Sequence, residues 1–502
     1  MISPCFIERN PNVRLLILFS FYLLLPLNVH CAETPLALTM KEAIRMAVEK
    51  NLDVRAELYN AAQYEADINR YRAIYDPLFS LQTNYTNSST ATFNSAGKAV
   101  DSRSFYIDSS ISQLLWSGGT AAIAFNNGYT DGNVFTGWQS GLGVNLSQPL
   151  LKNMGREATE IAINISRYSK FASLERFNTR LLTTVSQVRL EYYKLYSLRE
   201  EQRVKKVSLE LAQKILSETK SRVNAGVLPA MEILNAEFGA VTREKELIDA
   251  ELAVTNQVDV LRLLLQIDDK NRELLTVDIP PRESFDVVES DALRKAMNRP
   301  DIREQKRNLE LNELQTRNYR QKTLPDLALT ASFQLTGLDS AYQRNMDKVT
   351  TFDYPVWGIG LNFSYPLGNG AAENDYRRSK LKSEQIFLQL RSLEETSANE
   401  VRAAIRGIVA GFKQIDVTDR GRVFAEERLR AFIRKNEVGL ATTKDVLDVE
   451  NDLAVAKSNQ IKAVVGYANA LTTYWQVTGE LLEKEGIRVV EGDADKLYSA
   501  TR

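Results

Sequence analysis

Few residues in this chain are able to do chemistry. His30 is the only histidine, and Cys5 and Cys31 are the only cysteines. All three fall in the first 32 residues, where Arg9 and Arg14 precede an apolar run over residues 15–29 and Cys31-Ala32 offers small residues for cleavage. That pattern reads as a secretory signal peptide over residues 1–32. Cleavage there leaves no histidine, and no cysteine unless Cys31 is retained and lipidated, for which bulky His30 makes a poor neighbour. Disulfides, Cys or His metal sites, Ser-His-Asp triads and cysteine nucleophiles are then excluded together, and no cofactor is expected. The remaining candidates are acids. Asp445 and Asp448 stand three apart near a helix start, where paired carboxylates could do acid–base work, yet no cleft or base-orienting residue accompanies them. The plain alternative for Asp445 is an N-terminal acid offsetting the helix dipole. The Gly-x-Gly pairs at Gly141 and Gly358 lie inside strand patterns, so they are not dinucleotide loops.

The elements that carry the aspartates are long. Residues 371–436 and 443–482 are two helical patterns without proline. Some 65 helical residues span about 100 Å, twice the width of a globular domain of this length, so the helices must form a rod. Residues 439–443 are its tip: Gly439 permits the left-handed turn, and Thr442 or Thr443 can cap the next helix. The same tip occurs earlier, where residues 226–237 match residues 439–450 without a gap, Leu234 answering to Leu447 and Glu237 to Glu450. Two tips imply an internal duplication.

The rest of the chain repeats in step. A helix over residues 39–75, with Thr39 as N-cap, Glu42 completing a capping box and an interruption at residues 51–54, ends at Asp76-Pro77. Its counterpart begins near Asp291, and Pro77 follows Asp53 by 24 residues as Pro325 follows Asp301. Strand patterns come next. Phe79, Leu81, Thr83 and Tyr85 alternate with Ser80, Gln82 and Asn84, as Leu327, Leu329, Ala331, Phe333 and Leu335 alternate with Ala328, Thr330, Ser332 and Gln334. Residues 141–150 and 358–367 share the pattern G-x-G-x-N-x-S-x-P-L. Small polar residues on one face and apolar residues on the other suit a barrel wall with water inside and lipid outside, although a half-buried soluble sheet has the same period. The first half holds an extra 31 residues in this region, with the hairpin signal Gly118-Gly119, which reads either as an external loop or as two more wall strands.

Composition sets further bounds. The net charge of −1 is no footprint for nucleic acid. No stretch after the leader has 18 consecutive apolar residues, so a transmembrane helix is not available, whereas a closed β-barrel is. Leu174, Phe177, Leu181, Val185, Val188, Tyr192 and Leu195 recur at coiled-coil spacing, as do Ile461, Val464, Ala468, Leu471 and Trp475. The expected organisation is a signal peptide (1–32), a first repeat (33–270), a linker with Pro280-Pro281 (271–288), a second repeat (289–485) and a charged tail (486–502).

Helix, strands, long helix, tip and helix, twice over behind a signal peptide, resemble the TolC family of outer-membrane efflux and secretion channels. The resemblance is carried by Leu38-Thr-Met-Lys-Glu-Ala-Ile-Arg, both proline-bounded strand sets and the tip at residues 439–448, and it covers nearly the whole mature chain. It implies an α+β membrane protein: a homotrimer forming one transmembrane β-barrel in outer-membrane lipid, continued by a periplasmic α-helical coiled-coil barrel. Four strands per chain give twelve in the family, and the extra segment here makes eighteen conceivable. The resemblance further implies a passive exit duct of a tripartite pump or type I secretion system, joined by a periplasmic adaptor (a membrane fusion protein) to an inner-membrane RND, ABC or MFS transporter. It places acidic gate rings at Asp445 and Asp448, with Glu232 and Asn235 as first-repeat equivalents. Adaptor docking falls at Gly226, Val227, Leu228, Gly439, Leu440 and Ala441. Where characterised members close the tip with an Arg and a Tyr, this chain has Ala441 and Asn436, leaving Lys444 or Arg434 as substitutes. The competing readings are a non-conducting trimeric coiled-coil envelope protein, structural or adhesive, which leaves the alternating strands unexplained, and a periplasmic enzyme.

Overall fold

The computed structural model describes residues 36–90, 100–132, 134–269, 273–488 and 492–501. The signal segment and Cys31 lie outside the described residues. In chain order the elements are β1 (Leu36–Leu38), α1 (Met40–Lys50), α2 (Leu52–Arg72), β2 (Leu78–Thr90), β3 (Val100–Leu114), β4 (Thr120–Gly132) and β5 (Thr136–Pro149). Then come α3 (Arg156–Thr159), α4 (Ile161–Asn224), α5 (Met231–Leu265), β6 (Leu274–Thr276), α6 (Glu289–Ala296) and α7 (Pro300–Lys322). The remainder is β7 (Asp326–Asp339), α8 (Tyr342–Thr350), β8 (Pro355–Ser364), α9 (Gly370–Glu437), α10 (Thr443–Thr478), α11 (Leu481–Lys484) and α12 (Gly492–Ala500).

Local chemistry sets the breaks. Thr39 and Glu42 form the expected capping box at the start of α1. Asn51 ends α1, and its side-chain oxygen accepts from the N–H groups of Asp53 and Val54 to start α2. The interruption is thus a back-to-back cap.

Six strands form one antiparallel sheet in the order β2-β3-β4-β5-β7-β8. The extra segment of the first half is therefore a pair of wall strands, β3 and β4, turned at Gly118, which has a φ of +86°. A Cβ at Gly118 would lie 2.5 Å from the Asn153 carbonyl oxygen, so both the dihedral and the space require glycine. Register aligns one apolar face across the sheet: Phe79 opposes Ile111, which opposes Ile123, which opposes Val144, and Val144 faces Phe333, which faces Trp357. The other face carries Ser112, Ala122, Asn145, Ser332 and Gly358 opposite one another. Strands of 10–15 residues are about 35–50 Å long. Phe79, Leu81, Leu142, Val144, Trp357, Ile359 and Phe363 stand exposed on the apolar face. Among the described residues nothing covers most of it.

Below the sheet the chain is a helical rod. α4 has 64 residues and α9 has 68, so each runs about 100 Å. α5 returns along the far part of α4 and α10 along the far part of α9, while α2 and α7 flank their near parts. The main core lies midway: Leu181, Val185, Val188, Tyr192, Leu261, Leu265 and Ala468 pack with Ala43, Ile44 and Ala47 of α1. The expected connector at residues 271–288 holds an element that periodicity missed. β6 pairs in parallel with β1, Leu36 opposite Leu274. Three residues are too few to show a period, and their partner is more than 230 positions away. The Tyr192 hydroxyl accepts from the N–H groups of Val277 and Asp278 at 3.0 and 3.1 Å and lies 2.8 Å from the Leu38 carbonyl, so it binds this small sheet to α4. The charged tail returns along the rod: α12 buries Ala494, and Asp495 pairs with Lys170, which also holds Glu65.

Nearer the tip a buried ion pair joins the two long hairpins. Arg243 of α5 donates to Glu450 of α10 at 2.9 Å, and Ser208 of α4 donates to the other carboxylate oxygen. Arg243 and Glu450 are only 7% and 4% exposed. Glu246, 3.1 Å from Arg243, continues the chain of charges to Lys205. Removing one partner strands a charge. Glu450→Ala is expected to destabilise the protein by about 3 kcal/mol, and Glu450→Leu with Arg243→Leu by clearly less. Thermal unfolding of the purified variants measures this; equal losses would show that the pair is not the source.

Candidate functional site at the helical tips

The two tips have the same geometry because they have the same local sequence logic. α4 ends in a Schellman motif: the Gly226 N–H donates to the Val223 carbonyl at 2.9 Å and the Val227 N–H to the Arg222 carbonyl at 2.9 Å. α9 ends likewise, Gly439 to Asn436 at 3.1 Å and Leu440 to Lys435 at 2.8 Å. Gly226 and Gly439 have φ of +73° and +78°. The residues after each glycine project into solvent: Val227 is 64% and Leu440 78% exposed, while Leu228 and Ala441 are half-buried.

Thr442, not Thr443, caps α10. Its hydroxyl accepts from the Asp445 N–H at 3.1 Å, and the Asp445 carboxylate accepts from the Thr442 hydroxyl and N–H at 2.7 and 2.8 Å. These bonds hold the Asp445 carboxyl below the usual aspartate range. Asp445 therefore has the structural role of a capping-box acid. Asp448, one turn on, is exposed. Glu232 of the first tip crosses to the second, accepting from the Thr443 N–H at 3.3 Å, so it meets the positive end of α10. Asn235, half-buried on α5, lies one turn further along.

The bridge between the tips uses a residue that the sequence reading passed over. Arg222 donates at 3.1 Å to both the Asn436 side-chain oxygen and the Asn436 carbonyl, and the Asn436 amide donates to the Ala441 carbonyl at 2.9 Å. Lys444 and Arg434, the substitutes considered for closing the tip, make neither of these contacts. Arg222 stands four residues before Gly226, as Lys435 stands before Gly439. A cation in the last turn of a helix was the available signal. Below the tips Gly239 of α5 lies so close to α10 that an added Cβ would be 2.6 Å from the Leu447 side chain.

A family model for outer membrane efflux proteins matches residues 43–265 and 294–480. The chain belongs to the outer membrane efflux protein family. Its place is the outer membrane. It is 25% identical over 313 residues to the pyoverdine export outer membrane protein OpmQ of Pseudomonas aeruginosa, covering 59% of this chain and 62% of that one. The chain thus spans a little under two thirds of that relative's length. The fold matches that of the Campylobacter jejuni CmeC outer membrane channel, with a TM-score of 0.67, 17% identity and coverage of 92% and 89% of the two chains. It also matches that of CusC, with 0.69, 14%, and 92% and 95%.

For an outer membrane efflux protein the sheet carries a further mark. Tyr85, Phe105, Tyr129 and Trp138 oppose one another in one row across four strands, at the end away from the rod. Trp116 and Tyr365 stand exposed at the end next to it. An aromatic row at the end of an apolar band is the pattern of an interfacial girdle.

Thr442→Ala removes the cap and is expected to cost about 1 kcal/mol locally, speeding hydrogen exchange of residues 443–450 about fivefold at pH 7. Because the Asp445 carboxyl is held low when folded, its contribution is present above the ordinary aspartate pKa and is lost as pH falls through the lowered value. Exchange in this segment, corrected for intrinsic rate, should therefore be equal at pH 5 and pH 7.

Proposed function

We propose that three copies of this chain close into one channel, the outer-membrane exit duct of a tripartite efflux pump or type I secretion system. The observation that carries the reading is the open sheet: one face apolar and uncovered, the other lined by small polar side chains, with β2 and β8 at its two edges. A single such sheet leaves edge N–H and C=O groups unpaired in lipid, which closure of β2 on β8 of the next copy would remove. Six strands per chain in three copies make an eighteen-stranded barrel, half as many strands again as the twelve that the family resemblance implies.

The rod supports the same assembly. Met231, Leu234, Phe238, Val241, Ile248 and Leu252 form an exposed stripe along α5 at steps of three, four and seven. That is an unfilled coiled-coil seam, suited to a neighbouring copy. A non-conducting scaffold would use the seam as well, but it gives the polar face of the sheet no role.

The tip is the proposed gate. Three copies would bring Asp448, with Asp445, towards the axis together with Glu232 and Asn235, making a cation-attracting constriction that like-charge repulsion tends to open. The Arg222–Asn436 bridge would hold it shut. Val227, Leu228, Leu440 and Ala441, with the turn glycines Gly226 and Gly439, would dock a periplasmic adaptor that links the duct to an inner-membrane transporter. The division into halves at residues 33–270 and 289–485 rests on the recurrence of the tip geometry.

Detergent-extracted protein imaged in negative stain should be a threefold cylinder with a rod of about 100 Å; a water-soluble monomer would sink the barrel. In planar bilayers Asp445→Ala with Asp448→Ala should raise conductance or weaken cation selectivity and divalent block. If all three stay as they were, these aspartates are not the gate. Arg222→Ala loses two bonds from a charged donor and should raise open probability on the order of tenfold. Replacing Leu440 by Glu should impair export while trimers still form, and normal export would argue against docking there.

A further inference from the structure

The helix α8 (Tyr342–Thr350) joins β7 to β8 at the end of the sheet away from the rod, and it lies on the apolar face. Register and contacts place it there. Trp138 and Ser140 alternate in phase with Leu142, Val144 and Leu146 on β5. The Asn345 amide donates to the Ser140 hydroxyl at 2.6 Å, and the Tyr342 ring meets the Trp138 ring edge-on at 5.0 Å. Leu335 on the same face is 7% exposed beneath the helix, and Val349 is 2% exposed. Gly337 lets α8 sit this low, since a Cβ there would be 2.2 Å from the Asn345 carbonyl oxygen.

Three polar residues interrupt the apolar face at this level, and α8 answers each. Asn127 and Ser140 oppose each other, joined at 2.6 Å, and Asn345 completes the chain above them. Asp339 opposes Trp138, so a carboxylate occupies the place on β7 where the aromatic row would continue. Arg344 and Lys348 pair with it at 3.0 and 2.9 Å, and Tyr342 supplies the missing ring beside Trp138. The outward side of α8, a half-turn from Asn345 and Val349, carries Gln343, Asp347 and Thr350, all exposed.

We propose that α8 is an interfacial helix lying in the lipid headgroup layer of the outer leaflet, closing a gap in the aromatic girdle. This rests on the reading of the apolar face as lipid-facing. The occupant follows from the two sides of the helix. Its inner side sits on a wall continuous with the apolar band, which places it at the border of that band. Its outer side is polar, which excludes the hydrocarbon core, where unpartnered polar groups are costly. A helix that turns a polar outer side outward at the level of an aromatic girdle suits the headgroup layer.

The test is depth measurement in phosphatidylcholine vesicles. The only native cysteines are Cys5 and Cys31, so Cys5→Ser with Cys31→Ser gives a background for single labels. An environment-sensitive fluorophore is placed at Gln343→Cys and, as a control in mid-wall, at Val144→Cys. Lipids carrying a nitroxide on the headgroup should quench the label at position 343, and nitroxides deep in the acyl chain should quench the label at position 144. Loss of lipid quenching at position 343 with quenching by aqueous iodide, while position 144 stays deep, would overturn the headgroup placement and leave the barrel standing. Deep-chain quenching at position 343 would overturn it as well. Loss of lipid quenching at both positions would instead defeat the lipid-facing reading of the wall on which the inference rests.

Discussion

A β-sheet with one apolar face needs a second layer, and the described residues of this chain do not supply one. The helices that could have covered the face run away from it as a rod, because α4 and α9 continue for about 100 Å past the end of the strands. Among the described residues α8 is the helix that lies on the apolar side, and it covers one corner. The uncovered face and the two open edges therefore set the terms for the whole molecule. In the proposed assembly a lipid bilayer would satisfy the face and strand closure the edges.

The rod meets a different requirement. Its helices are too long to be stabilised by one core, so several small clusters are spaced along them: the collar around Tyr192 and Leu265, a second around Tyr467 and Ile408, and others near the tips. Between the clusters, polar contacts join the hairpins. Arg189 near the collar pairs with Glu485, Arg243 further out with Glu450, and Arg222 at the end with Asn436. Each pairs a cation on the first hairpin with an acceptor from the second half of the chain. Apolar contact makes the hairpins adhere, whereas these directional bonds set how they are aligned along the axis.

The tip shows how one residue can satisfy two readings. Asp445 completes a capping box, a local role that any helix start could use. Asp448 has no such duty and is exposed one turn later. If charge is to face a channel axis, Asp448 is the freer carrier, and the capped Asp445 is the better fixed. Glu232, drawn to the positive end of α10, adds a third acid to the same corner.

Much was legible in the sequence because it is encoded within a few residues. The capping box at Thr39, a threonine cap at 442 or 443, the turn glycines Gly226 and Gly439, the period-two faces of the strands and the coiled-coil seam of α4 each depend on neighbours no more than a few positions apart. Three features depended on tertiary structure. Residues 100–132 had the alternation of strands, but a hairpin standing free and one inserted in a wall share that pattern, and only pairing of β3 with β2 and of β4 with β5 separates them. The β1–β6 pair is too short to have a period. The Arg222–Asn436 bridge joins positions 214 apart, and neither residue type announces the other. Spacing along the chain reports what a segment can become; which segments meet is set by the path of the whole chain, and that is where the place of β3 and β4 in the sheet and the Arg222 bridge between the tips were decided.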